Sequence, residues 1–167
     1  MGTGFHGGFG RTRGFKLAVS YKLGSNEHLS KNYTKSKLID YLDGVTNDSS
    51  EIANEIRHGR IKVNILGDKL FENYLGVNSD VVAMAIENKI YLRSSSISLY
   101  SDLVHEGKHA IDYLKGISIA EISSVKGEIR AYSSERLFQK KTGIPLTFDS
   151  EEDMLVFIGK YYGRKGK

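Results

Sequence analysis

The chain has no cysteine, which removes both a disulfide framework and any thiolate metal site and leaves either redox compartment open. No segment approaches the roughly 20 apolar residues of a membrane span, and the N-terminus has no apolar signal-peptide core. If the protein is exported, the signal is expected elsewhere, on a longer parent chain or in a dedicated secretion system. Charge is close to balanced: 24 Lys and Arg against 20 Asp and Glu leave +4 with His neutral. That excess is small and scattered, so it does not indicate a nucleic-acid partner. There are no internal repeats. At 167 residues the chain has the length of one domain with a buried core.

Glycine is concentrated at the start, at positions 2, 4, 7, 8, 10 and 14. The run from Gly2 to Gly7 matches the dinucleotide pattern G-x-G-x-x-G, but no strand precedes it and no helical pattern follows, so that reading is discarded. Residues 1–14 are read as a flexible lead-in, 15–163 as a single domain and 164–167 as a basic tail.

Within the domain, 15–23 alternate loosely as a short strand. Residues 34–42 read as a helix capped by Thr34 and stopped at Gly44. A second helix, capped by Asp48 or Ser49, fades near Gly59. Residues 61–66 alternate as a half-buried strand, with a turn at Gly67-Asp68. The runs 81–86 and 89–93, joined at Glu87-Asn88, read as a β-hairpin. A helix over 97–114 follows, with Tyr100, Val104, Gly107, Ile111 and Leu114 as its buried stripe. Gly107 on that stripe implies close packing against a neighbouring element. A further helix runs over 124–141, with Gly143 and Pro145 beyond it. Asp149 and Glu152 read as a capping pair for a last helix through Met154, Leu155, Phe157, Ile158 and Tyr161. Phe138, Phe157 and Tyr161 are assigned to the core.

The helix over 97–114 carries His105-Glu106-Gly107-Lys108-His109. Residues four apart on a helix lie one above the other, so both imidazoles point the same way and can take two corners of a tetrahedral Zn²⁺. Glu106, one step round, sits where a carboxylate can take a proton from a water at the metal. The bland alternative is a solvated helix face bearing two histidines.

This pattern resembles the zinc-binding core of the zincin metallopeptidases, and the downstream run Glu128-Ile129-Arg130-Ala131 makes the chain similar to their gluzincin branch. That resemblance implies a third ligand from a downstream helix, often within Glu-x-x-Ala. Here it falls on Glu128, nineteen residues after His109. Small Ala131 would let the two helices approach closely. Glu121, Glu135 and Asp112 stay open as rivals to Glu128. Asp112 is better placed to accept a proton from a ligand imidazole, and Glu135 offers the same service. His109-Ala-Ile-Asp-Tyr113 and the hairpin strand before the helix also resemble the lethal-factor type of toxin metallopeptidase, which implies an extended substrate paired along that strand. The segment His6-Gly7-Gly8-Phe9-Gly10 is similar to junctions that precede bacterial polymorphic-toxin domains.

The resemblance implies an α+β fold: a small antiparallel sheet, with an edge strand at 89–93, packed on the active-site helix and the glutamate helix. It further implies a zinc endopeptidase with His105, His109 and Glu128 on the metal and Glu106 as base. A donor to the developing oxyanion is needed besides the metal. Tyr132 is the first choice for it, ahead of Tyr113, Arg130, His58 and His28. The expected setting is a secreted or delivered bacterial toxin or effector, with a protein or peptide substrate and a cognate immunity protein as partners. Two alternatives stand beside it: a cytoplasmic regulatory metallopeptidase, and a non-enzymatic binding module with a chance or decayed motif.

Overall fold

A computed structural model describes Phe5–His6, Leu29 and residues 33–163. Its centre is a sheet of β1 (Phe5–His6), β2 (Lys62–Leu66), β3 (Val81–Ile86) and β4 (Lys89–Arg93), in the order β1-β3-β4-β2. β3 and β4 form the expected antiparallel hairpin, with Glu87 at φ 56° in its turn. The sheet is nevertheless mixed, not antiparallel, because β2 runs parallel to β4 and β1 parallel to β3. The strand expected at the edge, 89–93, is interior. Its side chains are buried on both faces of the sheet, Ile90 and Leu92 on one and Tyr91 on the other.

One face of the sheet packs Val63, Ile65, Ile90 and Leu92 against α1 (Lys35–Leu42), α2 (Asn47–Arg57) and α4 (Leu99–Leu114). The other face, through Leu66, Met84 and Tyr91, is covered by Phe71 and Leu75 of α3 (Asp68–Leu75). The sequence reading placed only a turn at Gly67-Asp68. Gly67 offers no side-chain cap, and the helix is instead carried by its apolar pair four residues apart. Arg93 clasps α3 to the sheet. Its guanidinium donates to Glu72 at 2.5 Å and Asp68 at 3.3 Å, and to the carbonyls of Val81 and Asn78 at 2.8 and 2.9 Å. It also lies over the Phe71 ring.

Caps follow local chemistry, with two shifts. Thr34 caps α1 as expected, but α2 is capped by Thr46 in a reciprocal box with Ser49. α7 (Glu151–Tyr162) is capped by Ser150, which accepts the Asp153 amide, in place of the Asp149–Glu152 pair. Met154, Ile158 and Tyr162 form its buried face, while Tyr161 is 45% exposed rather than core. Phe157 packs partly buried against the same cluster, and Phe138 lies in the main core as expected. A short helix, α5 (Ile119–Ile122), precedes α6 (Val125–Thr142), which stops at Gly143 in the left-handed conformation.

α4 is the axis of the domain. It packs on α6, on α2 and on the β3–β4 hairpin, and residues 101–112 are all buried except half-buried Lys108. The expected one-sided stripe is therefore too narrow at the front and too long at the back, where Leu114 is 39% exposed. Gly107 makes the close approach its position implied: a Cβ there would stand 2.7 Å from Ile52 Cδ1. α6 packs chiefly on α4, with Phe138 reaching the main core. The class is α+β, with seven helices among the described residues. None of those helices is long and apolar enough to cross a membrane. The strand expected over 15–23, His28, the tail 164–167 and the lead-in 1–14 other than Phe5–His6 lie outside the described residues. Phe5–His6 is paired to β3 as a strand.

Candidate metal centre

α4 sets His105 and His109 one turn apart on the side that faces α6, with ring centroids 5.1 Å apart. The first turn of α6 brings Glu128 between them. Its Oε2 lies 3.3 Å from His105 Nε2 and its Oε1 3.3 Å from His109 Nε2. One ligand atom from each of the three residues falls within 4.8 Å of the others. All three side chains are 0% exposed, which overturns the solvated-face alternative.

This donor set fits a zinc ion. A carboxylate oxygen has no hydrogen to give, and an imidazole nitrogen that faces it repels it unless a proton or a cation lies between. In a fully buried site that conflict has no water to relieve it. Two imidazoles and one carboxylate are a common zinc set, and three protein ligands leave a fourth position free. Burial pushes the Glu128 carboxyl up, but the charges and hydrogen bonds of His109 and His105 outweigh this and hold it well below the usual carboxylate range.

The rivals for third ligand separate cleanly. Glu121 is on the surface, 3.2 Å from Arg130 Nη1 with its side chain 45% exposed. Asp112 accepts from Arg130 Nε at 2.7 Å, so the residue expected to back a ligand imidazole is engaged by an arginine of α6. Glu135 takes the backing position: its Oε1 lies 3.3 Å from His105 Nδ1. Glu106 is 0% exposed and its Oε2 is 4.0 Å from His105 Nε2, beside the centre and outside the ligand set.

Tyr132 packs its ring edge-on to His105, with centroids 4.2 Å apart. Its hydroxyl lies 3.3 Å from that of Tyr162. Burial, and then the charges of Tyr162, Glu135 and Glu128, push its pKa well up, so it remains a protonated donor. The sequence reading missed Tyr162. It comes from the end of α7, and burial, with the carboxylates of Glu128, Glu106 and Glu135, pushes its hydroxyl up as well. The spacing Met154, Ile158, Tyr162 was the available signal. The other oxyanion candidates lie elsewhere: Tyr113 donates to Glu87 at 3.0 Å, Arg130 serves Asp112 and Glu121, and exposed His58 sits 2.8 Å from the Asn54 carbonyl at the end of α2.

No protein-family model, no curated protein and no solved structure matches the chain, so the chemistry of this centre rests on its own residues.

Proposed function

We propose that the chain is a zinc-dependent endopeptidase of zincin type, acting on a protein substrate. The observation that supports this is the convergence of His105, His109 and Glu128, fully buried, with Glu106 beside them. Those three residues would hold a zinc ion, which would supply a Lewis acid for the scissile carbonyl and for lowering the pKa of water towards about 7. Glu106 then accepts the proton of the attacking water and delivers it to the leaving amine. Tyr132 and Tyr162 are kept protonated by burial and by the charges of Glu128 and Glu135, which makes them hydroxyl donors beside the centre. Because β3 and β4 both have a strand on each side, backbone pairing of an extended substrate on this hairpin would take the place of the two-residue β1 beside β3. A bacterial toxin or effector setting, with an immunity protein as partner, rests on the glycine-rich resemblance at 6–10.

The complete burial of the ligands also supports a second reading, in which a metal stabilises a non-enzymatic domain. One experiment separates the two. Zinc-loaded wild type and Glu106→Gln are incubated with unfolded casein and a peptide library. Cleavage by the wild type alone supports the peptidase. No cleavage by either, with zinc bound and the melting temperature raised, supports the structural metal.

A further inference from the structure

We infer that Thr147 and Gln139 hold Glu135 so that its carboxylate fixes the orientation and tautomer of His105, making a loop distant from the motif a positioning part of the metal centre. This rests on the metal-centre reading above.

Glu135 and Gln139 are 2% and 1% exposed, two polar side chains in the interior of α6. Burial of such groups is costly unless they are hydrogen-bonded, and here Gln139 and the Oε2 of Glu135 share Thr147. Glu135 Oε2 accepts from Thr147 Oγ1 at 2.8 Å. Gln139 Oε1 accepts the backbone N–H of Thr147 at 3.1 Å. Gln139 Nε2 lies 2.9 Å from Thr147 Oγ1, 3.2 Å from Ser101 Oγ and 3.4 Å from Glu135 Oε2. Ser101 stands one turn before His105 on α4, so the Gln139 amide ties α4, α6 and the segment after Gly143 together. Thr147 is thereby gripped at both its amide and its hydroxyl.

The effect falls on Glu135 Oε1, the oxygen facing His105 Nδ1 at 3.3 Å. A carboxylate facing Nδ1 favours the tautomer with its proton there, which puts the lone pair of His105 at Nε2, on the side of Glu128. Glu128 and Glu135 are seven residues apart on one helix and so share a face. They meet the same imidazole from its two nitrogens, one as ligand partner and one as support. A carboxylate behind a ligand histidine raises its basicity and fixes its plane, and losing such a partner costs about 10–100-fold in metal affinity.

The test measures zinc affinity of the full chain by competition with a chromogenic chelator, and the visible spectrum of the cobalt-substituted protein. Glu135→Gln is expected to weaken zinc about 10–100-fold. Thr147→Val, which removes only the hydroxyl, is expected to weaken zinc and shift the cobalt bands, whereas Thr147→Ser restores wild-type values. Wild-type affinity in both Glu135→Gln and Thr147→Val overturns the inference. So does a Thr147→Ser protein as weak as Thr147→Val, because the loss is then one of packing. If Thr147→Val does not fold, Glu135→Gln decides alone. Failure of the metal reading is distinct: the wild type itself then takes up neither zinc nor cobalt.

Discussion

His109 Nε2 and Glu128 Oε1 stand 3.3 Å apart with neither side chain exposing any surface. They come from helices that approach over their buried faces, so removing either takes one donor out of the cluster. Elemental analysis is expected to find about one zinc per chain in the wild type. His109→Ala and Glu128→Ala are expected to lose it. Zinc at 100 times its dissociation constant should stabilise the wild type by about 2.7 kcal/mol, and calorimetry with and without chelator reads that shift. Full zinc in Glu128→Ala would remove Glu128 from the ligand set.

Glu106 is beside the ligands and not among them, which separates its role from theirs. Glu106→Gln keeps size and shape, so zinc content should match the wild type. Loss of a general base lowers turnover by about 10²–10⁴-fold. Cleavage of a fluorogenic peptide by equal amounts of zinc-loaded protein measures this. Equal rates would take the proton transfer away from Glu106.

Gly107 and Ile52 are packed too closely for any side chain at the glycine. A Cβ would stand 2.7 to 2.9 Å from three Ile52 side-chain atoms. Alanine gains about 1 kcal/mol in helix propensity, but overpacking costs about 1–3 kcal/mol. Gly107→Ala is thus expected to be destabilised by up to about 2 kcal/mol in urea denaturation. In Ile52→Ala the same change should fit, so the double variant should lose less than the sum of the singles.

Arg93 and Asp68 make a testable acid-side contribution. The Ser95 hydroxyl, and behind it Arg93, hold the Asp68 carboxyl below its usual value against the opposing effect of burial. A carboxyl lowered in the fold stabilises above its unfolded pKa of about 3.9 and loses that contribution as pH falls through the folded value. Asp68→Asn should therefore flatten the fall in stability below about pH 4. Arg93→Met removes four donated hydrogen bonds to α3, the loop after it and β3, and is expected to lose about 2–3 kcal/mol at neutral pH.

Local signals were readable because local chemistry decides them. Thr34, Gly143, the turn at Glu87-Asn88 and the helical spacing of His105 and His109 each act within a few residues. What escaped was set by distance in the chain. Nothing in 61–66 says that it will lie parallel to 89–93, since that pairing depends on α3 and β3 in between. α3 itself lacks a side-chain cap and is only eight residues long. The stripe expected on α4 misjudged a helix enclosed on all sides, where polar residues are buried because they meet one another. Tyr162 reaches the centre from thirty residues beyond Tyr132, a distance no motif spans.

The sealed character of the centre has a kinetic consequence. With His105, His109 and Glu128 all at 0% exposure, a chelator, like a peptide substrate, reaches an ion held there only after the local packing opens. The ion leaves only when the packing of α6 over α4 opens, a local event with its own rate. Stripping of zinc should then proceed at a rate that no longer increases with chelator concentration. That plateau rate should rise in Gly107→Ala, whose strain lies in the packing of α4 and not among the ligands.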